Sequence, residues 1–263
     1  MTTVNDVLNY IYTLAPAYMK EDWDNIGLLC GKYDQPVKSV LVALDPFEGV
    51  CREAAAMGAD LIVTHHPLIF QAPQAITDDN SVGRSILLLA QHGISAINAH
   101  TNLDCAPGGV NDVLARILEL QDIQIIDPVG KDENGNSYGL LRCGYVDACP
   151  LDAFLAHAKA KLGTPMLRFV RGDRPVRKVA VGGGSCGDFL YRAAETGCDT
   201  FVTSDVKYNQ FWDAKDLGLN LIDAGHFYTE NPVVPVLAAA IAEAFPEIEV
   251  KVSENHRDCM EFA

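Results

Sequence analysis

The 263-residue sequence predicts an α/β fold made of two similar lobes that arose by internal duplication. The first observation is a repeat, because residues 37–66 align without a gap with residues 176–205. The second is the pattern within each copy: a short apolar run, a helical stretch, a Gly-x-Asp triplet and another apolar run. Such strand–helix–strand units pack as right-handed crossovers between parallel strands. We therefore expect parallel or mixed sheets flanked by helices.

Each copy supplies two strands and the helix between them. The first strand is short and rich in β-branched residues, at 39–44 in one copy and 178–181 in the other, as is typical of buried parallel strands. The helical stretch ends at Gly58 or Gly197, and glycine is the residue most often found just past a helix C-terminus. The Gly-x-Asp triplet then opens the second strand.

The resemblance between the two copies extends further along the chain. Residues 93–100 parallel residues 218–226, with one residue inserted, and each segment predicts a third strand that ends near a histidine. A helix is also predicted at the N-terminus, where apolar residues recur at helical spacing: Val4, Val7, Leu8, Ile11 and Leu14.

We place the boundary between the lobes in the turn-rich stretch around Asp127 and Pro128. The first lobe is then 1–128 and the second is 129–263. The polar segment 131–137 just beyond the boundary is expected to form a surface turn.

Composition and charge exclude several classes of protein. The chain has 20 basic and 35 acidic residues, and a net charge of −15 opposes general electrostatic binding of nucleic acids. It lacks an uninterrupted apolar run of about 18 residues, so no membrane span is expected, and its N-terminus lacks the pattern of a signal peptide. Its eight cysteines include no C-x-x-C pair, and a chain of this length does not depend on disulfides. We expect a cytoplasmic protein with reduced thiols.

Three clusters of histidine and carboxylate residues follow predicted strands. They are the segments 64–67, 100–104 and 226–230, which contain His65 and His66, then His100 with Asp104, and then His226 with Glu230. Ligands of parallel α/β sheets collect at the carboxyl ends of the strands. The three clusters are therefore expected to converge on one cleft between the lobes.

Imidazole and carboxylate together suit Zn, Fe, Mn or Ni, whereas Ca and Mg favour mainly oxygen ligands. Adjacent histidines at a strand end suit two ions better than one, since each histidine then binds a different ion. A carboxylate such as Glu230 would bridge the two, as in two-metal hydrolytic sites. The remaining histidines, at positions 92, 157 and 256, are interpreted as ordinary surface or core residues.

Three other features leave alternatives open. The glycine-rich loop at 182–187 is interpreted either as a contact for phosphate or substrate or as a tight structural turn. The basic stretch at 168–178 would either meet a triphosphate or form a solvated turn. Trp23 is either a wall of the cleft or an anchor in the core.

The sequence resembles the Nif-three-like dinuclear-metal-centre family, whose members carry the name type 2 GTP cyclohydrolase I. The motifs that carry the resemblance lie in the expected order over nearly the whole chain. They are W-D-N-x-G-L at 23–28, T-H-H-P at 64–67, H-T-N-x-D at 100–104, the glycine loop at 183–187, T-S-D-x-K at 203–207, and D-A-G-H at 223–226 followed by Glu230.

The resemblance implies a site with two divalent ions per subunit (Zn, Fe, Mn, Ni or Mg). The metal ligands it implies are His65, His66, Asp104, His226 and Glu230. His100 is the counterpart of His226 in the repeat and is interpreted as a ligand, a supporting group or, by preference, the catalytic proton carrier. The family's ring-shaped hexamers imply a homohexamer here.

The function that follows is a dinuclear metal-dependent hydrolase. The resemblance implies GTP as substrate, with water, and 7,8-dihydroneopterin triphosphate and formate as products. Two alternatives remain. One is hydrolysis of another nucleotide or of a phosphoester, and the other is a metal-stabilised oligomeric scaffold or regulatory protein without turnover.

Overall fold

The computed structural model describes residues 1–262 and shows a mixed α/β protein. Within that range the helices are α1 Val4–Leu14, α2 Glu48–Met57, α3 Ser81–His92, α4 Thr101–Cys105, α5 Val110–Ile117, α6 Leu151–Leu162, α7 Leu190–Glu195, α8 Tyr208–Asp216, α9 His226–Glu230 and α10 Val233–Ala244. The strands are β1 Gly27–Cys30, β2 Ser39–Ala43, β3 Leu61–Thr64, β4 Ser95–Asn98, β5 Gln121–Ile126, β6 Gly130–Lys131, β7 Ser137–Tyr138, β8 Leu141–Cys149, β9 Arg168–Val170, β10 Val176–Val181, β11 Thr200–Thr203, β12 Asn220–Asp223 and β13 Glu249–Val252.

The chain divides into two compact units. The first unit contains 1–103 and 233–258, and the second contains 104–232 together with the C-terminal residues from 259. This division differs from the lobes expected at 128/129. The parallel pairing of β13 with β2 joins the C-terminal segment to the first unit, and the pairing of β5 with β8 joins residues 121–126 to the second. The boundary of the duplication itself stays a prediction.

The sheet of the first unit has the order β1-β4-β3-β2-β13. Its four consecutive strands from β4 to β13 are parallel, and β1 runs antiparallel at one edge. All residues of β2, β3 and β4 are buried. Helices α2 and α3 bury Val50, Cys51 and Leu89 in an apolar cluster with residues of these strands.

The sheet of the second unit has the order β5-β8-β10-β11-β12-β9. Strands β10, β11 and β12 are parallel and correspond to β2, β3 and β4 of the first unit, while the pairings of β5, β8 and β9 are antiparallel. One face packs against α5 and α6 through a cluster that includes Leu114, Phe154 and Val179. The prediction of parallel or mixed sheets flanked by helices is confirmed.

The Gly-x-Asp triplet of the repeat has the same structural task in both units. The carboxylate of Asp60 accepts hydrogen bonds from the backbone N–H groups of Lys38 and Ser39, at 2.7 and 3.1 Å. Asp199 likewise accepts from the backbone of Arg177 and Lys178, the residues at the same offset. Each aspartate therefore ties the start of one parallel strand to the start of the next, which explains the residue type.

The predicted ends of the repeated elements also agree with the structure. Gly58 caps α2 in the left-handed conformation, with φ of 70°, and Gly197 has φ of 79° shortly after α7. The polar segment 131–137 lies at the hairpin of β6 and β7. Among residues 1–262, no helix combines the length and the apolar character that crossing a bilayer requires.

Candidate metal centre

The paired histidines sit where the chain leaves the carboxyl end of β3. The turn is held by two hydrogen bonds of the backbone and side chains: His66 N–H donates to the carbonyl of Leu44, and the Thr64 hydroxyl donates to the carbonyl of His66. Pro67 follows and cannot continue a central strand. The imidazoles of His65 and His66 consequently lie close together, with ring centroids 4.9 Å apart.

His65, His66 and His100 form a cluster in the first unit. One ligand atom from each of the three residues lies within 4.8 Å of those of the others, so the group could hold a metal ion. His65 is 1% exposed, and its Nδ1 lies 2.9 Å from the carbonyl oxygen of Ala99. Because a carbonyl only accepts, Nδ1 carries the proton, which makes Nε2 the nitrogen for an ion.

His100 is oriented by Asp24. Its Nδ1 lies 2.8 Å from Oδ1 of Asp24, and the other carboxylate oxygen accepts from both the N–H and the hydroxyl of Thr101. Burial raises the pKa of Asp24, but the hydrogen bonds from His100 and Thr101 outweigh it and lower the pKa to about 2. Asp24 is therefore a carboxylate at neutral pH and holds Nδ1–H of His100 as its donor.

His66 is oriented by Asp45 in the same manner. Nδ1 of His66 lies 2.6 Å from Oδ1 of Asp45, which lies two residues after the end of β2. A carboxylate or carbonyl behind Nδ1 is the usual support of histidines that bind metals through Nε2. All three histidines of the cluster have this support, and that is the observation that separates them from chance neighbours.

In the second unit, His226 and Glu230 face each other across one turn of α9. Nε2 of His226 lies 2.9 Å from Oε2 of Glu230, and its Nδ1 lies 2.6 Å from Asp205. The predicted His-x-x-x-acid spacing thus corresponds to the i,i+4 spacing of a helix. Burial lowers the pKa of His226, but the hydrogen bonds to the two carboxylates outweigh it and raise the pKa to about 11.

Asp205 occupies a backbone conformation that few non-glycine residues adopt. Its φ is 51°, in the left-handed region, and it lies two residues after the end of β11. Such conformations cost about 1–3 kcal/mol and concentrate at functional sites. The conformation occurs where the Asp205 carboxylate contacts His226, at the position equivalent to His66 in the repeat.

The glycine-rich loop packs against this pair. A Cβ added to Gly184 would lie 2.0 Å from Oε1 of Glu230 and 3.2 Å from Nε2 of His226, and its φ is +63°. The backbone N–H groups of Gly183 and Gly184 donate to the side chains of Asn111 and Thr229. These contacts favour the structural-turn interpretation, and they make Gly184 a packing partner of the candidate ligands.

Asp104 also belongs to the second unit and is buried, 6% exposed, on α4. Burial raises the pKa of the Cys186 thiol, and the negative charges of Asp104 and Glu230 raise it further. The sequence-predicted residues are therefore grouped as three histidines in the first unit and two carboxylates with His226 in the second.

The structure shows the surroundings of two other open features. Trp23 is 60% exposed, and its ring lies 6.0 Å from that of His100 and 5.7 Å from that of Phe70, so it is not a core anchor. The basic stretch at 168–178 bonds within its own unit: Arg168 pairs with Asp223, and further partners are Asp152 for Arg171, the Cys198 carbonyl for Arg174 and the Thr196 carbonyl for Lys178.

Three aspartates of this arrangement were missing from the sequence-based set, namely Asp24, Asp45 and Asp205. Asp24 and Asp205 lie inside motifs that the sequence showed, but no role followed from their spacing. Asp45 offered one signal, since it comes directly after a buried strand, where ligand-supporting side chains collect.

Comparisons with known proteins identify the family of the chain. A model of the family described as Duf34/NIF3 (NGG1p interacting factor 3) matches residues 2–259. A Clostridium perfringens protein named GTP cyclohydrolase 1 type 2 homolog is 36% identical over 262 residues, covering 98% of this chain and 99% of the relative. A Clostridium acetobutylicum protein of the same name is 31% identical over 264 residues, covering 98% of each chain.

Solved structures show the same fold. The crystal structure of a Staphylococcus aureus hypothetical protein matches with a TM-score of 0.92 and 31% identity, covering 99% of both chains. That of a Bacillus cereus protein related to NIF3 matches with a TM-score of 0.93 and 26% identity, covering 100% of this chain and 99% of the other. The chain belongs to the DUF34/NIF3 family.

Proposed function

We propose that the chain is a metal-dependent hydrolase with two divalent cations per subunit. The ligands in this proposal are His65, His66, Asp104, His226 and Glu230. The donor set fits such ions, because it combines imidazoles with carboxylates. The observation that carries the proposal is the support behind each imidazole, a carbonyl for His65 and carboxylates for the two other histidines.

Two bound cations supply Lewis acidity and lower the pKa of coordinated water from 15.7 towards about 7. The chain's own residues have three tasks around them. Asp45 and Asp205 hold the imidazoles of His66 and His226 in position, and the Gly184 turn packs against Glu230. His100, held by Asp24 beside the other two histidines, would be the proton carrier.

The name of the curated relatives supports GTP as the substrate class. In the proposed reaction, GTP and water give 7,8-dihydroneopterin triphosphate and formate. Two water molecules would hydrolyse the two C–N bonds to the imidazole carbon of guanine, and that carbon would leave as formate. After the ribose isomerises to a ketone, the freed amine condenses with it to form the new six-membered ring and returns one water, so that the net reaction consumes one.

The test measures formate, pterin fluorescence and inorganic phosphate together, after GTP is added to protein supplied with Zn, Mn or Fe. Formate and fluorescence in equal amounts are expected, and both should disappear in Glu230→Gln. The matched control is His92→Gln, an exposed histidine at the end of α3. Phosphate without formate would replace GTP ring opening by phosphoester hydrolysis, and no product with any of the metals would refute the hydrolase.

We also propose that the active form is a homohexameric ring, as the resemblance implies. Light scattering of the purified protein should then give six times the chain mass of 28.5 kDa. A mass of one or two chains at micromolar concentration would refute this assembly.

A further inference from the structure

We propose that His256 is a positioning residue for the metal site, which acts by fixing Asp45 and through it the His66 imidazole. The inference rests on the proposed metal site. His256 lies 190 residues after His66, in the segment that follows the last strand. Its Nε2 lies 2.8 Å from Oδ2 of Asp45, while His66 Nδ1 contacts Oδ1 of the same carboxylate.

The topology of the first sheet brings the two histidines together. Strand β13 pairs in parallel with β2, and their register places Val252 beside Val42. Parallel strands end at the same edge of a sheet, so the residues after Val252 emerge next to those after Val42. Asp45 follows Val42 by three residues and His256 follows Val252 by four.

The segment beyond β13 is held in place by one carboxylate. Glu53 on α2 accepts hydrogen bonds from the Ser253 hydroxyl and from the backbone N–H groups of Glu254 and Asn255. The backbone N–H of His256 in turn donates to the Ser253 hydroxyl at 3.2 Å. The His256 side chain, 7% exposed, is thereby held at a fixed place over Asp45.

A carboxylate with one hydrogen-bonded oxygen can still rotate, whereas one held through both oxygens cannot without breaking a bond. His256 supplies the second bond for Asp45. The first unit uses the same device behind His100, where Thr101 holds the second oxygen of Asp24. The two histidines of this cluster that are supported by carboxylates, His66 and His100, thus each depend on a carboxylate that is itself fixed.

A fixed Asp45 determines the tautomer of the His66 imidazole and the angle of its ring. With Asp45 fixed, Nδ1–H of His66 has one acceptor direction, and Nε2 is presented to an ion at one angle. Loss of a residue that directly supports a metal-binding histidine typically weakens metal binding by about 10–100-fold, and Asp45 is that residue for His66. We therefore expect His256→Ala to weaken metal binding without removing any ligand.

The experiment combines cobalt(II) titration, read by absorption and calorimetry, with the imidazole nitrogen shifts of His66 in metal-free protein. His256→Ala should weaken cobalt binding about 10–100-fold and should shift His66 from the Nδ1–H tautomer towards a mixture. His256→Gln retains an N–H donor at a similar reach and should restore most of both. His92→Ala removes an exposed imidazole and should change neither readout.

Unchanged cobalt affinity and an unchanged His66 tautomer in His256→Ala would overturn the positioning role while leaving the metal site intact. Wild-type protein that binds no cobalt would overturn the metal proposal instead. In that case the tautomer of His66 still decides the role of His256, because that readout needs no ion. Circular dichroism confirms that each compared variant is folded.

Discussion

Alanine substitutions at Gly184 and at Gly58 should have the same backbone cost but different effects on the candidate metal site. Gly184 and Gly58 both have left-handed backbones, with φ of +63° and +70°. An added Cβ at Gly58 would meet nothing within 4 Å, whereas at Gly184 it would lie 2.0 Å from Oε1 of Glu230. The left-handed conformation costs an alanine roughly 1–2 kcal/mol in either place.

Gly58→Ala should therefore lower the free energy of unfolding by about 1–2 kcal/mol and leave metal binding unchanged. Gly184→Ala carries the same backbone cost and must also displace the end of the Glu230 side chain. We expect its metal affinity to fall by at least about 10-fold, the size seen when ligand support is lost. Urea denaturation and cobalt titration of both variants measure the two effects separately. Equal cobalt affinity in the two variants would refute the assigned role of Gly184.

Two further predictions concern the repeat and the thiols. Asp60→Ala and Asp199→Ala each leave two strand N–H groups without their acceptor, so each should lower the free energy of unfolding by about 1–3 kcal/mol in urea; a change below measurement error in either would contradict the shared role. Burial raises the pKa of Cys51 to about 11, so at pH 8 it stays protonated, while Cys259 is exposed. Alkylation at pH 8 followed by peptide mapping should modify Cys259 first and Cys51 only after unfolding, and early labelling of Cys51 would contradict its assigned burial.

Much of the fold was predictable because local patterns repeat. The paired Gly-x-Asp triplets predicted where strands begin, and the structure shows the reason in the bonds of Asp60 and Asp199 to the neighbouring strand. Histidines that follow strand ends predicted the cluster of His65, His66 and His100. Parallel strands run in the same direction, so that their carboxyl ends lie at the same edge of the sheet.

The supporting residues were not predictable from local pattern, since they depend on sheet order. The spacing of Asp45 and His256 along the sequence does not show that β13 pairs with β2. It is this pairing that brings the Asp45 and His256 side chains together. The division of the chain into two units also depends on strand pairing, that of β13 with β2 and of β5 with β8, which local patterns do not show. His256 consequently looked like an ordinary histidine, and the glycine at 184 looked like a general turn residue.

The proposed pair of cations can be counted by metal analysis of the wild-type chain and of Glu230→Gln, both purified without chelator. We predict about two divalent ions per wild-type chain, a clear loss of bound metal in Glu230→Gln, and an unchanged metal content in His92→Gln. Wild-type protein that contains no metal, and that takes up none when Zn, Mn, Fe or Co is supplied, would contradict the proposed metal site.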